Sequence, residues 1–195
     1  MERKNSLISN FLIPVGYAVL VYAIWEGIGF FASFVICCIA SLSIGLLEEF
    51  VWRGIILNGF LSAWKDRKNG IYFAVLITSL CFGLCHYMNL LAGQDFWSTT
   101  KQVISAVCMG VFLSALYLQT NRLVFPILVH GLCNFSNFFM NEILGWDYSV
   151  WKYDDILQWI LAGGYLLTGM YFVYRYIKKQ QEKDGEKFEG LYQSM

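Results

Sequence analysis

Long apolar runs alternate with short polar turns along the whole chain. A first run covers about residues 7–25, and Glu26, Gly27 and Gly29 interrupt the pattern before a second begins. That second run, about residues 30–60, would be roughly 45 Å long as an α-helix, against a hydrocarbon core of about 30 Å, so it must tilt, bend or protrude. The polar turn at 64–70 separates it from a third run at about 71–91, and the loop at 93–100 precedes a fourth at about 103–118. A short turn at 119–122 leads to a fifth segment, 123–140, with Pro126 near its start, where proline suits a first helical turn. The polar, acidic and aromatic stretch 141–155 then gives way to a sixth run at about 156–176. The pattern predicts an all-α, multi-pass transmembrane helical bundle of about six spans. It divides into a membrane domain, residues 1–176, and a charged, mobile cytoplasmic tail, residues 177–195.

Polar positions inside these runs carry the chemistry. Glu48, Glu49 and Arg53 sit within the second run, where ionisable groups cost several kcal/mol unless paired or facing a polar cavity. On a helix Glu49 and Arg53 are i and i+4, within ion-pair reach. Glu48 lies about 100° away, so one carboxylate is left without a local partner. Both histidines of the chain are intramembrane. His86 follows Ser79 and Gly83 on one face; His130 heads a stripe with Asn134, Asn137 and Asn141; Ser41, Gly45, Glu49 and Arg53 form an i+4 row. Turned toward one another, these faces enclose a wet, polar cavity inside the membrane.

Composition narrows the class. The chain is 57% hydrophobic and 14% charged, where a soluble domain has about 25% charged residues. Net charge is zero, which gives no electrostatic reason to expect nucleic acid. The six cysteines lie in apolar runs without a CxxC and read as buried reduced thiols; a metal-thiolate site at Cys85 or Cys133 beside the histidines is the alternative. With six spans and a cytoplasmic N-terminus, eleven basic residues fall inside and only Lys101 and Lys152 outside, which places both termini in the cytoplasm of a cell-membrane protein. No G-x-S-x-G context supplies a nucleophile, which favours attack by water over an acyl-enzyme.

Three motifs stand in order on separate runs: Glu48-Glu49-Phe50-Val51-Trp52-Arg53, Phe82-Gly83-Leu84-Cys85-His86, and His130-Gly131-Leu132-Cys133-Asn134. They match EExxxR, FxxxH and HxxxN, and the chain resembles the CAAX protease and bacteriocin-processing (Abi) family of intramembrane endopeptidases. The resemblance covers about residues 41–141. It implies hydrolysis of peptide bonds in membrane-associated peptides or lipidated proteins, with the bilayer and such a substrate as partners. By that resemblance Glu48 is the general base and His86 positions the water. His130 and Asn134 stabilise the oxyanion, and Glu49 with Arg53 holds the site. Glu48, His86 and His130 would also make a Zn²⁺ shell if a divalent metal is bound, although the chain has no H-E-x-x-H. Two other readings fit the same residues: a non-catalytic bacteriocin-immunity or scaffold protein of the same fold, and an ion-coupled carrier. Neither substrate nor oligomeric state follows from the sequence.

One geometric tension accompanies the expectation. On straight, upright helices Glu48, His86 and His130 would lie about 18, 24 and 10 Å deep and would not meet. Glu48 and His86 are expected within a water-bridged distance, with His130 and Asn134 facing them and Cys85 and Cys133 turned away.

Overall fold

The structure is a computed structural model that describes residues 13–140 and 154–193. The stretch from Asn141 and the basic pair Arg3–Lys4, both used in the sequence reading, lie outside the described residues. Those described are helical apart from short connections, with no strand among them. Helix α1 is Ile13–Glu49, continued by a π-helical segment Phe50–Leu57 and a short α2, Asn58–Ala63. Helix α3 is Gly70–Cys85, extended by a 3₁₀ segment His86–Ala92. Then come α4, Phe96–Thr120, α5, Val124–Phe138, and α6, Asp154–Gln193.

Four stretches are long and apolar enough to cross a membrane: Gly16–Ala63, Gly70–Ala92, Phe96–Thr120 and Ile156–Lys183; α5 is a shorter apolar helix. The multi-pass helical bundle expected from the apolar runs is what forms, but among the described residues it has these four stretches and the shorter α5 rather than about six spans, because the first two runs join. Two local expectations differ. The interruption at Glu26, Gly27 and Gly29 does not break the chain, and a single rod runs through it. Isolated glycines weaken a helix by only about 1 kcal/mol each, which long apolar flanks override. The charged segment beyond Tyr176, expected to be mobile, continues α6 as helix to Gln193; Lys178 and Glu182 come to 4.0 Å there, an i,i+4 pair that supports an exposed helix only slightly.

Helix α4 is central, packed on α3 along one side and α6 along the other, while α1 packs on α5. Small residues let these backbones approach, as is usual where lipid supplies no hydrophobic drive between helices. A β-carbon on Gly45 would come within 3.0 Å of the Gly131 nitrogen and the Ile127 carbonyl oxygen, so α1 and α5 cross almost backbone to backbone. Gly110 of α4 likewise meets Ser79 of α3, and Gly169 of α6 meets Phe112 of α4. Leu57, Ala74, Val75, Val111, Ala115, Leu118 and Val173 form the apolar core between these helices. Leu20, Ile28, Phe31 and Leu47 point outward, as side chains facing acyl tails would.

The π segment carries the buried row of α1 on through Arg53 and Leu57. Cys37, Ser41, Gly45, Glu49, Arg53 and Leu57, four residues apart, are all buried. On a pure α-helix each four-residue step advances about 40° beyond a full turn, and such a row would drift off the interface. The π turn, with its i→i+5 bonds, takes in more residues and turns the row back. Asn58 caps the irregularity: its amide donates to the carbonyls of Arg53 and Gly54, at 3.1 and 3.0 Å, and to Tyr117 Oη of α4 at 2.8 Å.

Candidate active site

The crossing at Gly45 and Gly131 sets Glu49, one turn further along α1, against His130 of α5. Arg53 Nη1 donates to Glu49 Oε1 at 2.7 Å, and both side chains are wholly buried. Its Nη2 donates to the Gly110 carbonyl of α4 at 3.1 Å, and its guanidinium lies 4.8 Å from the Phe82 ring centroid. Arg53 therefore joins the α1 rod to α4 through a backbone acceptor and to α3 through an aromatic face, while its ion pair holds Glu49 on the same rod.

Glu49 Oε1 also faces His130 Nδ1 at 2.8 Å. An ionised carboxylate only accepts, so Nδ1 carries a proton. The other ring nitrogen, Nε2, lies 3.6 Å from Glu48 Oε2, beyond hydrogen-bond length. Glu48 Oε2, itself buried, has no hydrogen-bond partner among the described residues, while the Glu48 side chain as a whole keeps about a third of its surface accessible. The two adjacent carboxylates are thus unequal: one is clamped by a cation and an imidazole, the other is open.

Glu48 and His86 line one pocket of about 130 Å³ with Trp52, Phe82, Cys85 and Asn89. That is room for a few waters or a small piece of backbone. His86 Nδ1 lies 3.0 Å from the Phe82 carbonyl oxygen; since a carbonyl only accepts, Nδ1 donates and a neutral ring keeps its Nε2 lone pair free. Phe82 separates the two imidazoles, meeting His86 edge-on at 5.2 Å and His130 at 5.8 Å.

The structure thus brings Glu48, Glu49, Arg53 and His130 into one contact network and sets His86 in the pocket with Glu48. Neither His130 nor Asn134 lines that pocket, and Asn134 Nδ2 is buried without a partner among the described residues. Glu48, His86 and His130, counted at different depths on straight helices, nonetheless adjoin around Phe82. Cys133 turns away to Tyr165 Oη at 3.4 Å. Cys85, expected to turn away as well, lines the pocket. Phe82, Cys85, His86 and Asn89 stand at i, i+3, i+4 and i+7, a stripe wide enough to include both neighbours. Asn89 and Trp52 went unnoticed in the sequence; Trp52 stands four residues after Glu48, a spacing that was there to find, whereas Asn89 lies beyond the end of α3 on the 3₁₀ segment.

The suggested Zn²⁺ shell does not assemble. The 3.6 Å between His130 Nε2 and Glu48 Oε2 suits two ligands of one ion, yet no group of three His, Cys, Asp or Glu side chains able to hold a metal occurs among the described residues. The six cysteines are free thiols and none joins such a group, but of the six expected to be buried only Cys37 is, with Cys81 and Cys85 of α3 exposed.

The fold and this network define a polytopic helical membrane protein with a carboxylate–histidine–arginine cluster between its helices. Residues 29–136 match the profile of the type II CAAX prenyl endopeptidase Rce1-like family, and the chain belongs to that family. It is similar to the membrane-embedded CAAX protease MroQ of Staphylococcus aureus, with 36% identity over 46% of this chain and 32% of the relative. Similarity extends to human CAAX prenyl protease 2, with 26% identity over 48% and 30%, and to the putative membrane peptidase YdiL of Bacillus subtilis, with 28% over 49% and 33%. The chain spans about a third of the length of these relatives. No solved structure matches it.

Proposed function

We propose that the protein is a membrane endopeptidase that hydrolyses peptide bonds of membrane-associated peptides or lipidated proteins with a water activated by Glu48 and His86. The observation that carries this reading is the pocket itself, lined by a carboxylate with an unpartnered oxygen and by an imidazole with a free lone pair. Family membership and relatives described as CAAX proteases support the same class.

In the proposed reaction a water in the pocket donates one hydrogen to Glu48 and is oriented by His86 Nε2. Its oxygen attacks the scissile carbonyl carbon as Glu48 takes the proton. The resulting oxyanion is assigned, as the family resemblance implies, to His130 Nε2, 3.6 Å from Glu48 Oε2, when that ring carries both protons, and to the Asn134 amide, unpartnered among the described residues; neither lines the pocket, so substrate binding must open it toward both. The intermediate collapses with breakage of the C–N bond, and Glu48 returns its proton to the leaving nitrogen. Glu49 and Arg53 keep His130 in place throughout and exchange no proton. The 64–70 turn and the C-terminal end of α6 on the cytoplasmic side, and a prokaryotic peptide-processing role, belong to this proposal; the N-terminal end of the single rod of residues 13–63 then belongs on the opposite side, against the expected six-span topology.

The test compares the membrane peptidome of cells carrying the wild-type protein with that of cells carrying Glu48→Gln. Loss of specific cleavage products with an unchanged amount of folded protein is expected. An unchanged peptidome from a well-folded Glu48→Gln protein would overturn the assignment and leave a non-catalytic scaffold.

A further inference from the structure

The pocket has a second polar side chain with a supporting frame of its own. His86 opens the 3₁₀ segment His86–Ala92, in which residues three apart eclipse one another, and the residue three on is Asn89. Both line the pocket with Glu48. Asn89 Nδ2 donates to Gln102 Oε1 of α4 at 2.9 Å, and Gln94 Nε2 donates to the same oxygen at 3.2 Å. The main chain is fixed there too. The Asn89 carbonyl accepts from the Gln94 amide at 3.1 Å, and Gly93, at φ 91°, closes the turn in a left-handed conformation that favours glycine.

This frame uses one of the four hydrogen-bonding capacities of the Asn89 amide. One N–H and the carbonyl oxygen have no partner among the described residues. A side-chain amide offering one donor and one acceptor is complementary to a peptide group, which offers the same pair. The rest of the pocket does not supply that pair: Trp52, Phe82 and Cys85 are apolar or weakly polar, Glu48 is the proposed base, and His86 is committed to the Phe82 carbonyl on one side.

We propose that Asn89 is a substrate-binding residue that hydrogen-bonds the backbone of the peptide beside the scissile bond, and that Gln102 is the positioning residue that orients its amide. The proposal rests on the peptidase reading above. It makes the recognised feature the main chain of an extended peptide rather than a particular side chain, so specificity along the sequence must arise elsewhere.

The experiment takes the cleavage products that depend on Glu48 in the peptidome comparison and measures their formation from synthetic peptides spanning the cut, using full-length protein in lipid nanodiscs. Asn89→Leu is expected to lower kcat/KM about tenfold or more, the loss of a hydrogen bond to a buried polar partner. Gln102→Leu should lower it by a similar factor, whereas Gln102→Glu, which retains an acceptor for Asn89 Nδ2, should recover most of that loss. A purely structural role for Gln102 would show instead as equal thermal destabilisation in both Gln102 variants with no difference in kcat/KM, and would overturn the proposal. So would folded Asn89→Leu protein with kcat/KM within twofold of wild type, while Glu48→Gln remains inactive. If wild type and Glu48→Gln give the same peptidome, the peptidase reading itself fails and this inference goes with it.

Discussion

Replacing Arg53 with methionine isolates the contact that organises the cluster. Methionine retains much of the unbranched stem and fills an irregular gap well, so the cavity left is small. What disappears is the 2.7 Å ion pair to Glu49, the 3.1 Å bond to the Gly110 carbonyl and the guanidinium over Phe82. Glu49, wholly buried, then keeps only His130. Breaking a buried pair by removing one partner costs about 3–5 kcal/mol. For a chain of this size each kcal/mol corresponds to about 2–4 °C in Tm, so Arg53→Met should lower Tm by on the order of 10 °C. The assay is thermal unfolding in detergent followed by tryptophan fluorescence, to which Trp52 contributes from 5.7 Å beside Phe82. Adding Glu49→Gln removes the stranded charge, and the double variant should be less destabilised than the two single changes predict together, by about 0.5–3 kcal/mol. A folded Arg53→Met protein within about 2 °C of wild type, or strict additivity in the double variant, would refute the claim that this pair holds the site.

Gly45→Val should separate α1 from α5 at their crossing, destabilising the fold by about 1–3 kcal/mol and lowering cleavage further than the stability loss accounts for; wild-type activity in that variant would sink the backbone-to-backbone packing argument. Treatment with 1,10-phenanthroline should leave cleavage unchanged, because no step of the proposed reaction passes through a metal; inhibition reversed specifically by added Zn²⁺ would replace that mechanism. Cysteine-accessibility labelling should place Arg67 on the cytoplasmic side and Gln94 on the opposite side, following the basic residues of the 64–70 turn; the reverse pattern would invert the proposed orientation.

Periodicity and apolar length made the helices legible in the sequence, because a bilayer admits few other solutions. The i+4 row of Ser41, Gly45, Glu49 and Arg53 was equally legible, since a single helix determines which residues share a face. The break at residues 26–29 was misjudged because a charge and two glycines interrupt the apolar pattern, while only the glycines disfavour helix locally. The π segment had no local signal. It is held by Asn58 reaching Tyr117 on another helix, a contact 59 residues apart in sequence. The place of Asn89 was hidden for a different reason: a 3₁₀ turn, not an α-helix, aligns it with His86, and that turn is fixed by Gln94 and Gln102.

The unequal treatment of the two adjacent carboxylates follows from helix geometry rather than from any chemical difference between them. Glu49 falls on the row that α5 and α4 cover, and it meets Arg53 one turn later and His130 across the crossing. Glu48, rotated by about 100°, falls at the edge of that interface, where α1 faces the end of α3. Burying both would require two cationic partners within the cluster, and the chain has one arginine in its membrane segments before α6. Exposing both would leave His130 without the carboxylate that fixes its Nδ1 proton. A pair of identical residues in sequence therefore becomes one clamped group and one accessible group, the second being the base of the proposed reaction, provided the helix neither rotates nor slips. That proviso is why the Arg53 network and the π segment matter to a reaction in which neither takes part.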